Sequence, residues 1–196
     1  MKIALIGEGE TEFDCLPTMA GRLGNVVVRC GHIGGADEDT EWGSLIERKV
    51  APLVASYSLA QPEKIVVVLD REGRAPCCGN LAAEGVNAIR RRCGYLLGTC
   101  GLTLVMSNRR FEALLFSDYD AVDSLPVLRG RVSHQFPEVT DEHNVVSWVH
   151  EGLRAGLSYD KRRDGKFLAQ RMRLEHPDVL RRNKSLRKLI KELSTL

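Results

Sequence analysis

The chain has 196 residues, is 43% hydrophobic and 28% charged, and carries a formal net charge of +2. That length and composition describe an ordinary globular protein with one sizeable core, hence one domain or a domain plus an appendage. The opening run Met1 to Ile6 passes straight into Gly7-Glu8-Gly9-Glu10, too short an apolar stretch for a signal peptide or a membrane span, so a soluble, cytoplasmic protein without membrane contact is expected.

Six cysteines are scattered, and the only close pair, Cys77-Cys78, lacks the C-x-x-C spacing of a zinc or redox site, so free thiols are expected. The five histidines form no H-x-x-x-H pair; His143 and His150, seven apart, share a helix face at most. The small net charge hides an asymmetry. From Arg154 onward there are 13 Lys and Arg against 5 Asp and Glu; before it there are 15 against 21. Acidic groups able to hold metal therefore lie early, and a polyanion-attracting segment lies late. A solvated amphipathic helix would give the same late pattern.

In chain order, short apolar runs mark strands at Lys2 to Ile6, Asn25 to Cys30, Glu63 to Leu69 and Leu102 to Met106. The last two barely alternate, as expected of parallel strands covered on both faces. Amphipathic stretches at Glu12 to Arg22, Trp42 to Ser56 and Leu81 to Cys93 predict the intervening helices. The fold class expected is α/β, Toprim- or Rossmann-like, with a mostly parallel sheet of about four strands flanked by helices. After Met106 the pattern changes. A short helix at Arg110 to Phe116 is followed by an Asp-, Pro- and Gly-rich segment, Ser117 to Thr140, and by helices at Asn144 to Leu153, Gly165 to Leu174 and Asn183 to Leu193. Residues 1–196 are thus read as a single domain, with an α/β core over 1–120 and a basic, mainly helical extension over 121–196.

Ligands of open α/β sheets collect outside the carboxyl ends of the strands. Three of the four strands end in acidic residues: Glu8, Glu10 and Glu12 after the first, Asp70 and Glu72 after the third, and Glu112 after the fourth. Carboxylates converging at one sheet edge repel each other, and a cation that neutralises them is the simplest explanation. Hard oxygen ligands favour Mg²⁺ or Mn²⁺ over zinc, and two such ions about 4 Å apart suit phosphoryl transfer. Glu8 and Glu12 lie about one helical turn apart and can face one point, whereas Glu10 should point elsewhere. In an extended strand end Asp70 and Glu72 project to one side and Arg71 to the other.

Three of the acids also have a plain structural reading. Glu12 suits an early helix position, Asp70 a turn cap, and Glu112 an ion pair with Arg109 or Arg110. A dinucleotide or P-loop turn is disfavoured, because Gly7 to Glu12 lacks the third glycine of G-x-G-x-x-G and any G-K-[ST] lysine.

The order G-E-G-x-T-E, D-x-E and F-E-A-L-L-F-S-D resembles small stand-alone Toprim proteins related to the overcoming-lysogenization-defect (OLD) nucleases, over most of the chain. The resemblance implies metal ligation by Glu8, Glu12, Asp70, Glu72 and Glu112, and a late lysine near the scissile phosphate. Lys161 is the match within Tyr159-Asp160-Lys161-Arg162-Arg163, with Lys166 the alternate. Such a lysine would stabilise charge developing on the transition state. The chain departs from the usual Toprim D-x-D at Glu72, whose extra methylene moves the carboxylate by roughly 1.5 Å. The resemblance further implies nucleic-acid substrates, DNA or RNA, and a role in antiphage defence beside an ABC- or AAA-type ATPase; the chain has no Walker motif of its own.

The leading expectation is a Mg²⁺-dependent (or Mn²⁺-dependent) endonuclease with water as nucleophile, in which Glu8 also relays a proton. The rival is a noncatalytic metal-binding sensor or interaction subunit. A receiver-like phosphotransfer protein ranks last, for want of a fifth strand and its lysine.

Overall fold

The computed structural model describes residues 1–35, 40–128, 136–142, 144–153 and 158–194. His143, and with it the His143/His150 pairing, lies outside them, as do 129–135 of the Asp-, Pro- and Gly-rich segment. The four strands are β1 (Lys2–Gly7), β2 (Val26–His32), β3 (Lys64–Asp70) and β4 (Gly101–Ser107). They form one all-parallel sheet in the order β2-β1-β3-β4. From β1 the chain moves outward to β2, then returns past β1 to β3. Connections thus leave β1 and β3 in opposite directions, which opens a crevice at their carboxyl ends.

Both faces of the sheet are covered, so β3 is apolar without alternation: Ile65 to Leu69 have no exposed surface. Ile3, Leu5, Val66, Val68 and Val105 face α1 (Glu10–Arg22), while Ala4, Ile6, Ile65, Val67 and Leu69 face the opposite helical layer. That layer is α2 (Trp42–Leu45), a π-helical turn (Ile46–Val50), α3 (Ala51–Ser58) and α4 (Cys78–Leu97). The expected single helix from Trp42 is therefore interrupted. Pro52 has no N–H to return to the carbonyl four residues earlier, and the ladder widens just ahead of it.

Beyond β4 come α5 (Glu112–Leu115), α6 (Tyr119–Asp123), α7 (Val145–Gly152), α8 (Lys161–Arg171), α9 (Pro177–Arg182) and α10 (Lys184–Leu193). Two of these, α6 and α9, were not expected from the sequence. Helix α8 begins four residues before the expected Gly165, because the Asp160 carboxylate accepts the Arg163 N–H at 2.7 Å and caps it. These helices share the apolar core of β1, β3 and α1: Leu168, Leu186, Leu189 and Leu193 are fully buried with Leu5 and Val66. Among the described residues no helix is long and apolar enough to cross a membrane.

Two glycines set how closely the elements approach. A Cβ on Gly7 would stand 2.3 Å from the Cβ of Glu12, so only glycine lets α1 start against the end of β1. A Cβ on Gly165 would meet Leu115, Thr11 and Cys15 at 3.3–3.4 Å, so glycine also lets α8 lie close against α1. Gly7→Ala should therefore push Glu12 aside, costing about 1–3 kcal/mol of stability as overpacking does and weakening Mn²⁺ binding. Chemical denaturation and Mn²⁺ calorimetry check this, and an alanine variant with unchanged metal affinity would contradict it.

Candidate functional site

The crevice contains a cleft of about 240 Å³ lined by Glu8, Glu12, Asp70, Glu72, Glu112 and Lys161. All six side chains singled out in the sequence therefore meet in one place, although they come from four separated segments. Four of the carboxylates are nearly out of solvent: Glu8 is 7% exposed, Glu12 5%, Asp70 8% and Glu112 4%.

Each acid is positioned differently. Glu8 follows β1 directly, and its Oε2 accepts the Asp70 N–H at 2.8 Å, which ties the ends of β1 and β3 together. Glu12 is the third residue of α1. Its Oε2 accepts the Gly9 N–H at 3.0 Å, so the early-helix reading holds for one of its oxygens. Asp70 ends β3, and its Oδ1 is buried with no hydrogen-bond partner. Its neighbour in register on β4 is Ser107, whose fully buried Oγ also lacks a partner. Paired residues of adjacent parallel strands share a face, so two orphaned oxygen groups sit side by side at the sheet edge. Sequence reasoning did not single out Ser107. A lone serine ending a strand carries no signal until register places it beside an unsatisfied carboxylate.

Glu72 differs from expectation. The strand stops at Asp70, and Glu72 lies in a turn with φ +48, followed by Gly73 at +88. A left-handed glutamate is uncommon. Backbone bonds from Arg71 N to Ser107 O and from Glu72 N to Arg109 O hold it there, and its carboxylate pairs with Arg110 at 3.6 Å. Glu72 thus reaches the cleft from a turn rather than from an extended strand end. Arg71 is fastened to Asn108 and to the Arg74 carbonyl.

Glu112 pairs with Lys161 at 3.1 Å, not with Arg109 or Arg110. Lys161 is the first residue of α8 and lines the cleft, whereas Lys166 does not. Glu10 stands at the rim and is not wholly turned away as expected, although its exposed carboxylate pairs with Arg162 at 2.9 Å. Much of the late positive charge is likewise engaged. Arg162, Arg163, Arg173, Arg181 and Lys188 all have acidic partners within 4 Å. The exposed ones, Arg162 with Glu10 and Arg181 with Asp178, are weak enough to yield to a polyanion, whereas Arg173 is held by the buried Asp118.

Electrostatics set the site apart. Burial, then the charges of Glu112 and Glu8, push the Glu12 carboxyl up to about 7, against the pull of the Gly9 amide. Burial together with Glu12, Glu8 and Glu112 pushes Asp70 well above the usual carboxylate range. Buried carboxylates crowded together in this way favour positive charge at the site. The oxygen-only donor set, with the unpartnered Asp70 Oδ1, fits Mg²⁺ or Mn²⁺. Among the described residues no three potential ligands already stand in a finished coordination cluster, so binding a cation would draw these side chains inward.

The raised Glu12 value has a thermodynamic consequence. The folded state holds this proton at pH values where the unfolded chain has released it. Stability is therefore full below about 4.5 and falls as pH rises towards 7, by on the order of 3 kcal/mol. Thermal melts in EDTA should show a steeper loss between those pH values for the wild type than for Glu12→Gln. Parallel profiles would refute the assignment.

No protein-family model matches the chain, and no curated protein matches it. Among solved structures it is similar to the C-terminal region of the OLD protein of Xanthomonas campestris pv. campestris, with a TM-score of 0.41 and 15% identity over 97% of this chain and 96% of that one. What the chain can do is therefore read from the side chains of its cleft.

Proposed function

We propose that this chain is a Mg²⁺- or Mn²⁺-dependent phosphodiester hydrolase acting on nucleic acid. The observation that carries the reading is the buried, unpartnered Asp70 Oδ1 in a cleft shared with Glu8, Glu12 and Glu112. Asp70, Glu8 and Glu12 would hold the cation, with Glu72 and Glu112 as outer ligands. When bound, the ion would supply charge neutralisation at the phosphate and acidify a water.

The protein's own groups have separate tasks. Lys161, 44% exposed and reaching over the cleft, brings positive charge to a phosphate oxygen and stabilises charge building there. Its pairing with Glu112 holds the ammonium in place until substrate competes for it. Glu8 is the proton relay of this reading: it is nearly buried and adjoins the Asp70 backbone, where an attacking water would be held. An ABC- or AAA-type ATPase partner, with antiphage defence as the setting, belongs to the same proposal.

A second reading is a metal-binding subunit without catalysis, favoured by Glu72, which sits in a left-handed turn and is bound to Arg110. One assay separates them. The full chain is incubated with plasmid and single-stranded substrates in Mg²⁺ or Mn²⁺, alone and with an ATPase partner. Metal-dependent cleavage that Asp70→Ala removes supports the hydrolase; Mn²⁺ binding with no cleavage in any combination supports the subunit.

A further inference from the structure

Beside the acidic cleft lies a second cavity of about 170 Å³, lined by the aliphatic Ala113, Val145 and Val146 together with the polar Glu72, Arg109, Arg110 and Asn144. Glu72 and Arg110 line both cavities, so the two are contiguous. Pockets that take a whole small ligand run to roughly 300–1,000 Å³. This one has room for a single ring system, the end of something larger anchored elsewhere.

Its chemistry is unlike the cleft's. The Glu72 carboxylate in its lining repels a second phosphate and already occupies Arg110. Arg109 is exposed and makes no ion pair among the described residues, leaving a planar donor fork beside a slot of mixed polar and aliphatic lining. Glu72 adds an acceptor. Flat, apolar faces with acceptors and donors on the edges are the features of a nucleobase, and the arginine fork suits the paired acceptors of a purine edge. Gly73, at φ +88 with open space where a Cβ would be, keeps the mouth free of a side chain.

We propose that this cavity receives the unpaired nucleobase adjoining the phosphodiester held in the cleft, which makes the substrate single-stranded or locally unwound nucleic acid; this rests on the reading of the cleft as a nucleic-acid site. A base stacked and paired in a duplex cannot enter a walled slot without leaving the helix.

The test uses the full chain and a labelled single-stranded oligonucleotide of mixed sequence, with affinity read by fluorescence anisotropy in Ca²⁺, which takes the same oxygen ligands. Abasic sites are introduced one position at a time. One position should lose about tenfold in affinity, with its neighbours little changed, and the matching duplex should bind more weakly. In Arg109→Ala, whose exposed side chain is not needed for folding, that positional loss should shrink to near the level of the neighbours. Binding that is equally indifferent to abasic sites at every position overturns the base pocket and leaves the cleft reading intact. Absence of any metal-dependent binding, single-stranded or duplex, overturns both.

Discussion

Asp70→Asn should raise the stability of the metal-free protein while abolishing metal-dependent cleavage. The carboxylate is buried, carries an oxygen without a partner, and faces the charges of Glu8, Glu12 and Glu112, all of which favour its neutral form. An amide of nearly the same shape removes that repulsion. Relieving a burial penalty of on the order of 1–2 kcal/mol raises the melting temperature of a chain this size by about 2–8 °C. The same change removes the proposed central metal ligand, and cleavage should fall by at least about 10³-fold, equivalent to ~4 kcal/mol of transition-state stabilisation. The opposed signs carry the diagnosis. A purely structural aspartate would lose stability on substitution, and a variant less stable than wild type in EDTA would show that Asp70 is a cap and not a waiting ligand.

The second large effect lies away from the cleft. Asp118 is 1% exposed, and its carboxylate accepts Arg173 Nε at 3.1 Å, Arg173 Nη2 at 2.7 Å, the Arg173 backbone N–H at 2.6 Å and the Asp120 N–H at 3.2 Å. Burial alone would raise its pKa; the Arg173 hydrogen bonds and charge outweigh that and hold it below the usual range. Its stabilisation is therefore present at neutral pH and lost as pH falls through the depressed value. Asp118→Ala should cost about 3 kcal/mol, and roughly 10 °C in melting temperature, because it releases the chain just beyond the end of α8. Arg173→Ala leaves a buried carboxylate with backbone donors alone and should cost as much. The double variant should fall well short of the sum, since the pair acts as a unit. Strict additivity in denaturant titrations would show that the two residues stabilise the fold independently.

Asp118 also shows where sequence and structure part company. In Phe111-Glu112-Ala113-Leu114-Leu115-Phe116-Ser117-Asp118 only Glu112 reaches the cleft. The aromatic and aliphatic members fill the core, the Ala113 carbonyl accepts from Asn183, and Asp118 clamps α8. Asn183 is fully buried, caps α10 through Leu186 N–H at 2.7 Å and reaches Thr140 Oγ1 at 3.0 Å. No spacing rule finds such partners. Ala113 and Thr140 lie 70 and 43 residues from Asn183 in the chain and acquire meaning only when packed.

The sheet was legible because each strand is a short apolar run covered on both faces, and the acidic cleft because strand ends of a parallel sheet gather at one edge. Helix limits were less so. The starts of α1 and α8 depend on caps at Gly9 and Asp160, and the π-helical interruption just before α3 depends on Pro52, all local backbone effects that periodicity averages away. The turn at Glu72 was hidden for a related reason. Acid, arginine, acid reads equally well as a strand end, and the left-handed backbone follows from bonds to Ser107, the last residue of β4, and to Arg109 just beyond it.

The most direct test of the proposed metal centre is a crystal soaked in Mn²⁺ and measured for anomalous scattering. The ion is expected in the cleft, in contact with Asp70 Oδ1 and with Glu8 or Glu12 as a further ligand. Anomalous density elsewhere, with Asp70 Oδ1 still without a partner, would contradict it.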